Sequence, residues 1–223
     1  MKFENTEVFN FVGAFRGMRN PMSSWDKSDS GEECEEHFGY SLCKYIIGKN
    51  DLELAQRLIK AGSEHRKFLR QIFVSVDITA PVFFFKEMDT YKVGTVANST
   101  STMHKLASTP ITKECFEMDD YETELRKINL PLIWSGLIFN LETLRKLYNE
   151  TKDKRYWKEL IRLLPESWLQ KRTVTMNYEN VLNMYNQRCV HLHKLTEWSK
   201  TFKEWVEMLP YAKELLCIPL EKK

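Results

Sequence analysis

The stretch I-F-V-S-V-D-I-T-A-P-V-F-F-F, Ile72 to Phe85, decides the fold. Branched apolar residues alternate with other types along its first half, which is the spacing of a strand with one buried face. Pro81 interrupts this pattern, and the apolar run after it predicts a buried extended or helical piece. The next segment, Met88 to His104, is rich in hydroxyl and amide side chains. An apolar strand that leads into such a segment suggests a site for a polar ligand.

Helical patterns dominate on both sides of this strand, and strand signals are few. A parallel βαβ array is therefore not supported. We predict an α+β fold as a single domain over residues 1–223, with a mixed or antiparallel sheet flanked by helices and a mostly helical C-terminal half. Before and after this strand we predict a helix from Asp51 to Ala61, which Gly62 ends, and helices within residues 121–164. Breaks in the second region are predicted near Pro131 and near Lys152-Asp153. A short strand at Val174–Met176 follows, and then helix from Asn177, which is a candidate N-cap.

Residues 19–37 form a polar, turn-rich stretch. This composition predicts a long surface loop. Loops of this length are either solvated or act as lids over a site.

Composition and charge favour a globular protein. The chain has 223 residues, of which 43% are hydrophobic, and a net charge of +2. Neither nucleic acid nor an anionic membrane is needed to balance that charge. The N-terminus lacks the apolar core of a secretory signal, and the longest apolar stretch is about half the ~20 residues of a membrane helix. Five cysteines without C-x-x-C spacing indicate reduced thiols. We therefore predict a cytoplasmic protein with no membrane or nucleic-acid partner.

Generic chemical motifs assign no function. Phosphate-binding glycine loops and H-E-x-x-H are absent from the sequence. Cys189 and His193 have the spacing of a helical metal pair, with His191 between them. No second pair of ligands accompanies them, so we predict no metal site.

Two segments carry a resemblance to a known family. The first, T-A-P-V-F-F-F-K-E-M-D-T-Y-K-V-G-T-V-A-N-S-T-S, is similar to a family core in which an A-P-x-F strand runs into R-Q-W-x-R-H-R-x-x-S-x-N-x-x-S-x-R. The second, L-L-P-E-S-W-L-Q-K-R-T-V-T-M-N-Y-E-N-V-L-N-M-Y-N-Q-R, keeps the family intervals from Pro165 to Asn177 and on to Arg188. Asn183 matches a further family asparagine. Over about Asp51 to Trp198 the chain thus resembles the flavin-dependent thymidylate synthases.

The chain departs from the family pattern mainly where the family has cations. Thr90-Tyr91-Lys92 stands in place of R-H-R, and one extra residue precedes Asn98. The remaining departures are Met103 for an arginine, Ile161 for an arginine with Arg162 one step away, and Glu179 in the N-x-R element. The fold resemblance is therefore better than the active-site resemblance.

The resemblance implies an activity, cofactors and an assembly. The activity is the reductive methylation of deoxyuridylate (dUMP), or a related one-carbon transfer to a pyrimidine nucleotide. FAD is the implied cofactor, with NADPH and methylenetetrahydrofolate as co-substrates, and a homotetramer with shared nucleotide sites is the implied assembly. The residues that receive roles are Arg188 as catalytic; Glu87, Ser101, Arg162 and Arg188 for the substrate; and Thr90, Tyr91, Lys92, Asn98, Asn177 and Asn183 for the cofactor.

Alternatives stay open at this point. A nucleotide-binding relative that has lost flavin chemistry would sequester or sense its ligand, and a structural oligomer would bind none. Asn177 is as readily an N-cap as a ligand contact. On a regular α-helix, Asn177 and Arg188 would project within ~20° of each other, with Asn183 ~120° away.

Overall fold

The computed structural model describes residues 1–37, 40–118, 129–190 and 194–220, with side chains 36–42 excluded. The helix predicted before residue 129, and His191 and His193, lie outside these ranges. The described elements are β1 (Lys2–Phe9), α1 (Phe11–Met18), 3₁₀ turns at Asn20–Met22 and Trp25–Lys27, β2 (Gly31–His37), β3 (Tyr40–Ile46), α2 (Lys49–Ala61), a 3₁₀ helix at Lys67–Gln71, β4 (Phe73–Pro81), α3 (Val82–Met88), β5 (Val96–Ser99), α4 (Thr102–Lys105), a 3₁₀ turn at Lys113–Cys115, α5 (Leu130–Thr151), α6 (Lys154–Leu163), β6 (Leu169–Asn177), α7 (Tyr178–Met184), π-helices at Tyr185–Cys189 and Glu197–Phe202, α8 (Lys203–Glu207) and α9 (Ala212–Leu215).

Strand β4 has the buried face that its sequence predicts. Val74, Val76 and Ile78 are at most 1% exposed and alternate with half-buried residues. The strand belongs to a four-stranded sheet of order β1-β4-β6-β5. Ser75 bonds Thr175 and Asp77 bonds Thr173, so the residue number falls along β6 as it rises along β4 and the two strands are antiparallel. The predicted α+β class with an antiparallel sheet is confirmed.

Pro81 ends the strand and begins a helix. It occupies the N-cap position of α3 with extended dihedral angles, and Phe84 and Phe85 are buried on that helix. Proline is tolerated at this position because the first backbone N–H groups of a helix have no partner within it. The apolar run after Pro81 is thus the helical one of its two predicted forms.

Backbone contacts divide the chain into two compact units. Unit 1 comprises residues 1–2, 77–90 and 97–173, and unit 2 comprises residues 3–76, 91–96 and 174–223. Strands β4 and β6 each contribute residues to both units. The prediction of a single domain stays a prediction.

Unit 1 contains the two longest downstream helices. Lys152, with a positive φ of 56°, ends α5, and the Asp153 carboxylate caps α6 by accepting from the backbone N–H of Arg155 at 2.9 Å. The predicted break near Lys152-Asp153 is confirmed. A helix boundary also lies near Pro131, since α5 begins at Leu130 with this proline in its first turn. Among the described residues, no helix combines the length and the apolar character needed to cross a bilayer. The core cluster of this unit consists of Leu106, Ile111, Phe116, Leu141 and Leu160.

Unit 2 has an aromatic core. Its largest fully buried side chains are Trp198, Tyr178, Phe15 and Phe202. The ring of Trp198 lies 5.0 Å from that of Phe202, which lies 5.4 Å from that of Trp205. These residues belong to the predicted helical C-terminal region, whose apolar face therefore forms core.

The polar stretch 19–37 is only partly a loop, which corrects the sequence prediction. Residues 31–37 form β2 and pair antiparallel with β3, with Cys34 opposite Cys43. These two cysteines form a disulfide, so the expectation that all five thiols are reduced is wrong for this pair. The sequence did not predict β2 because glutamates are unfavourable in strands. The C-x-x-C criterion did not identify the disulfide because two cysteines can face each other across a hairpin at any sequence spacing.

Candidate functional site

The loop from Tyr91 to Thr95 is held in unit 2 by two buried asparagines. The Asn177 amide donates to the Val93 carbonyl at 2.8 Å, and the Asn180 amide donates at 2.8 Å to the same carbonyl and to the Thr95 hydroxyl. Asn177 also caps α7, since its side-chain oxygen accepts from the backbone N–H of Asn180 at 3.0 Å. Its predicted role as an N-cap is confirmed, and both polar ends of its amide are used within the protein.

Gly94 allows this loop to approach Asn177 closely. Its φ is +68°, in the region that favours glycine. A Cβ at this position would lie 2.9 Å from the Asn177 side-chain nitrogen. The hydrogen bonds and the glycine together fix the loop backbone.

Tyr91 connects this loop to the candidate ligand-binding arginine. Its hydroxyl donates to the Gln187 side-chain oxygen at 2.8 Å and accepts from Arg188 Nε at 3.2 Å. The Arg188 guanidinium also lies 5.9 Å from the ring centroid of buried Trp198. Both Gln187 and Arg188 belong to the π-helix, a form that occurs frequently at functional sites.

The predicted alignment of Asn177 with Arg188 on one helix face is wrong. Asn177 has extended dihedral angles at the end of β6, and the helix begins only at Tyr178. Arg188 lies in π-helical geometry, which does not follow the 100° α-helical step. The structure brings Tyr91 together with Arg188.

Glu179, which stands where the resemblance places an arginine, is buried between two arginines. Arg66 Nε donates to its carboxylate at 3.0 Å, and Arg70 Nε donates to the second oxygen. Arg66 also donates to the Asn183 side-chain oxygen at 3.0 Å. The hydrogen bond to Glu179 raises the pKa of Arg70. The charge reversal at position 179 is therefore neutralised from a distant segment, and Asn183 is oriented by Arg66.

In unit 1 the predicted site residues have local roles. The Thr90 hydroxyl donates to the Glu87 carbonyl at 2.7 Å, and Ser101 caps α4 by accepting from the His104 backbone N–H at 3.3 Å. Arg162 pairs with Glu159 on the solvent-facing side of α6. Asn98, on β5, and Lys92, in the unit 2 loop, are exposed. Their predicted ligand contacts stay predictions.

Arg172, a cationic residue of unit 1, was not predicted from the sequence. Arg172, on β6, lies 4.0 Å from the Phe85 ring centroid and donates to both carboxylate oxygens of Asp89, at 2.9 and 3.1 Å. Its guanidinium is thus held beside the polar segment that begins at Met88. No family interval pointed to this position.

Unit 2 also contains a cavity of about 750 Å³. Lys27 and Arg57 supply positive charge to its lining, where Lys67 pairs with Glu64 at 3.6 Å. Its apolar lining includes Leu54 and Leu58 of α2 and Phe68. This donor set suits a ligand that combines phosphate with an apolar body. Residues 19–24 contribute to the wall, so the stretch considered as a lid lines a cavity.

Cys189 has a structural environment. Its thiol donates to the Trp198 carbonyl at 3.2 Å, and burial raises its pKa to about 12. The thiol is therefore protonated at neutral pH and is a poor metal ligand. Within the described ranges no three His, Cys, Asp or Glu side chains come together as a metal site.

The antiparallel sheet and the helical C-terminal region define an α+β protein with a polar loop fixed against a π-helical arginine. Two crystal structures of the flavin-dependent thymidylate synthase ThyX from Helicobacter pylori, both with FAD and dUMP, have this fold. One is 17% identical, with a TM-score of 0.68 over 99% of this chain and 100% of the other; the second is 18% identical, with a TM-score of 0.66 over 97% of each chain. The predicted resemblance is confirmed at the level of the fold. No family model and no curated protein matches the sequence.

The sequence did not predict four residues that make the contacts described in unit 2: Arg66, Arg70, Asn180 and Gln187. The reversed charge of Glu179 was a usable signal, because a buried carboxylate requires a cationic or hydrogen-bonding partner. Arg66 and Arg70 lie 113 and 109 residues away from it, and their proximity follows only from the fold.

Proposed function

We propose that the protein binds a deoxyuridylate-like nucleotide and FAD and acts as a divergent flavin-dependent thymidylate synthase. The observation that carries the proposal is Arg188, a half-buried arginine at the family interval and in a π-helix. A guanidinium matches a pyrimidine carbonyl or a phosphate in two hydrogen bonds. Arg188 would bind and polarise the nucleotide, which favours negative charge developing on the base.

The cavity of unit 2 supports the cofactor part of the proposal. Lys27 and Arg57 would hold the cofactor phosphates, and the apolar wall would cover a ring. The lining of this cavity includes none of the residues that the resemblance assigns to the cofactor. Bound FAD supplies hydride transfer, with NADPH as the reductant and methylenetetrahydrofolate as the one-carbon donor. The chain's own residues position the nucleotide and exclude water.

A second candidate is a nucleotide-binding relative without catalytic activity. Thr90, Tyr91 and Lys92 replace the family cations, and Thr90 and Tyr91 bond within the protein. A protein of this kind would bind the nucleotide to sequester or sense it.

Calorimetric titration with dUMP and absorbance spectroscopy with added FAD test the proposal. We expect wild type to bind both, and Arg188→Ala to weaken dUMP binding by about 1.5–3 kcal/mol at an unchanged melting temperature. Arg155→Ala, which changes an exposed residue of α6, is the control and should bind dUMP as wild type does. Nucleotide binding without FAD uptake favours the second candidate, and binding of neither ligand refutes both.

We also propose a homo-oligomer, a tetramer as the resemblance implies. Along α5, Leu132, Ile133 and Phe139 are 73%, 60% and 70% exposed, and residues 130–140 carry no charge. Ile133 and Phe139 each stand three residues from Gly136. In an antiparallel pair of α5 helices related by a two-fold axis at Gly136, Ile133 of each copy therefore lies at the level of Phe139 of the other copy. The same two residues then meet twice, as a self-complementary two-fold interface requires.

A further inference from the structure

Tyr91 makes two different hydrogen bonds through one oxygen. Its hydroxyl donates to Gln187 Oε1 at 2.8 Å and accepts from Arg188 Nε at 3.2 Å. A phenol can do both at once because it has one proton and free lone pairs. Its two partners are consecutive residues of the same π-helix. The direction of each bond is fixed, since Arg188 Nε can only donate and Gln187 Oε1 can only accept.

The backbone that presents Tyr91 is itself fixed. Asn177 and Asn180 both donate to the Val93 carbonyl at 2.8 Å, and Asn180 also bonds the Thr95 hydroxyl. Both asparagines are at most 5% exposed. Tyr91 therefore extends from a rigid loop, and its hydroxyl has a defined place in unit 2.

Arg188 is constrained on a second side by Trp198, whose ring centroid lies 5.9 Å from the guanidinium carbon. Tyr91 bonds Nε, whereas an end-on contact with a phosphate or carbonyl uses the two terminal nitrogens. The bond from Tyr91 therefore does not itself use those two nitrogens.

We infer that Tyr91 is a positioning residue for Arg188, which it orients through the Nε hydrogen bond, with Gln187 fixing the direction of the tyrosine proton. The inference rests on the proposed function in one respect, that Arg188 binds the nucleotide. A neutral hydroxyl thereby pre-organises the Arg188 guanidinium, within a segment, residues 90–92, where the resemblance places three charged or titratable side chains. The ligand class is a pyrimidine nucleotide that presents a carbonyl or phosphate to Arg188.

A double-mutant cycle with dUMP tests the inference. We expect Tyr91→Phe to weaken binding about tenfold, the effect of one lost hydrogen bond, and to leave the melting temperature nearly unchanged. In an Arg188→Ala background the same change should alter the dissociation constant less than about twofold, because its effect passes through Arg188. Gln187→Leu should cause a smaller loss than Tyr91→Phe, and Tyr156→Phe on α6 none. Full affinity of Tyr91→Phe, or an equal loss in both backgrounds, overturns the inference.

A second measurement separates this inference from the proposed function. In NMR spectra of the protein without ligand, Tyr91→Phe should speed exchange of the Arg188 Nε proton with water. Unchanged exchange overturns the positioning role whatever binds. If wild type binds no dUMP while exchange still accelerates, the proposed nucleotide is refuted and the orientation of Arg188 by Tyr91 is upheld.

Discussion

At position 179 a carboxylate is 4% exposed and contacts two guanidinium groups. Removing its charge leaves Arg66 and Arg70 close together without compensation. We expect Glu179→Gln to lower the free energy of unfolding by about 3–5 kcal/mol, the usual cost of breaking a buried ion pair. Urea denaturation measures this change.

The pair Glu159–Arg162 on α6 provides the matched control. Its side chains are 46% and 56% exposed, so Glu159→Gln should cost at most about 1 kcal/mol. Equal small effects of the two substitutions would show that the Glu179 cluster contributes little to stability.

Residue-level prediction from the sequence succeeded where the interaction is local. Arg188 was singled out by its sequence interval from Pro165 and Asn177, and its ligand-binding role stays a prediction. Asn177 was correctly interpreted as an N-cap because capping is a local interaction. The pairing of Arg66 with Glu179 and that of Tyr91 with Arg188 were not predicted, since each joins residues far apart in sequence.

At the scale of elements, α5 is tied to the segment before it through Glu142. Arg145 donates to this carboxylate at 2.6 and 2.7 Å, and the backbone N–H of Ile111 donates at 2.9 Å. Chiefly through the bond from Arg145, these contacts lower the pKa of Glu142 to about 2. The carboxylate therefore favours the folded state when it is ionised.

This pKa predicts a specific acid sensitivity. Because the folded-state pKa lies below that of an unfolded glutamate, the stabilisation is complete above about pH 5 and is lost as the pH falls towards about 2. Glu142→Gln should be less stable than wild type at pH 7 and should lose less stability on acidification. Unfolding measured from pH 7 to pH 2 checks this, with Glu150→Gln, an exposed position on α5, as the control. Parallel curves for Glu142→Gln and wild type would contradict the assignment.

Elements with regular apolar spacing were predictable, and the hairpin was not. The alternation of Val74, Val76 and Ile78 marks β4 without any knowledge of its partner. In β2 the alternating side chains are mostly glutamates, so the sequence carries no apolar period from which to infer a strand. Pairing with β3, and not burial of its own side chains, marks β2 as a strand.

At the scale of the whole molecule, the proposed assembly depends on the exposed face of α5. We expect wild type to have the light-scattering mass of an oligomer. Phe139→Asp should reduce this mass at micromolar concentration, because it places a charge in each copy of a two-fold contact. The fold of each chain should persist, since the Phe139 side chain is 70% exposed.

Met208→Asp is the control, because Met208 is a 77% exposed apolar residue of unit 2. It should leave the mass unchanged. A monomeric wild type contradicts the assembly, and an unchanged mass for Phe139→Asp places the interface elsewhere.

The cluster around Glu179 also restricts how this sequence can change over time. A substitution from arginine to glutamate at position 179 is favourable only when Arg66 and Arg70 are already present, because a buried carboxylate alone is costly. Conversely, arginines at positions 66, 70 and 179 together would repel one another, because no carboxylate would lie between them. Intermediates in either order are unstable, so positions 66, 70 and 179 should be inherited as a set.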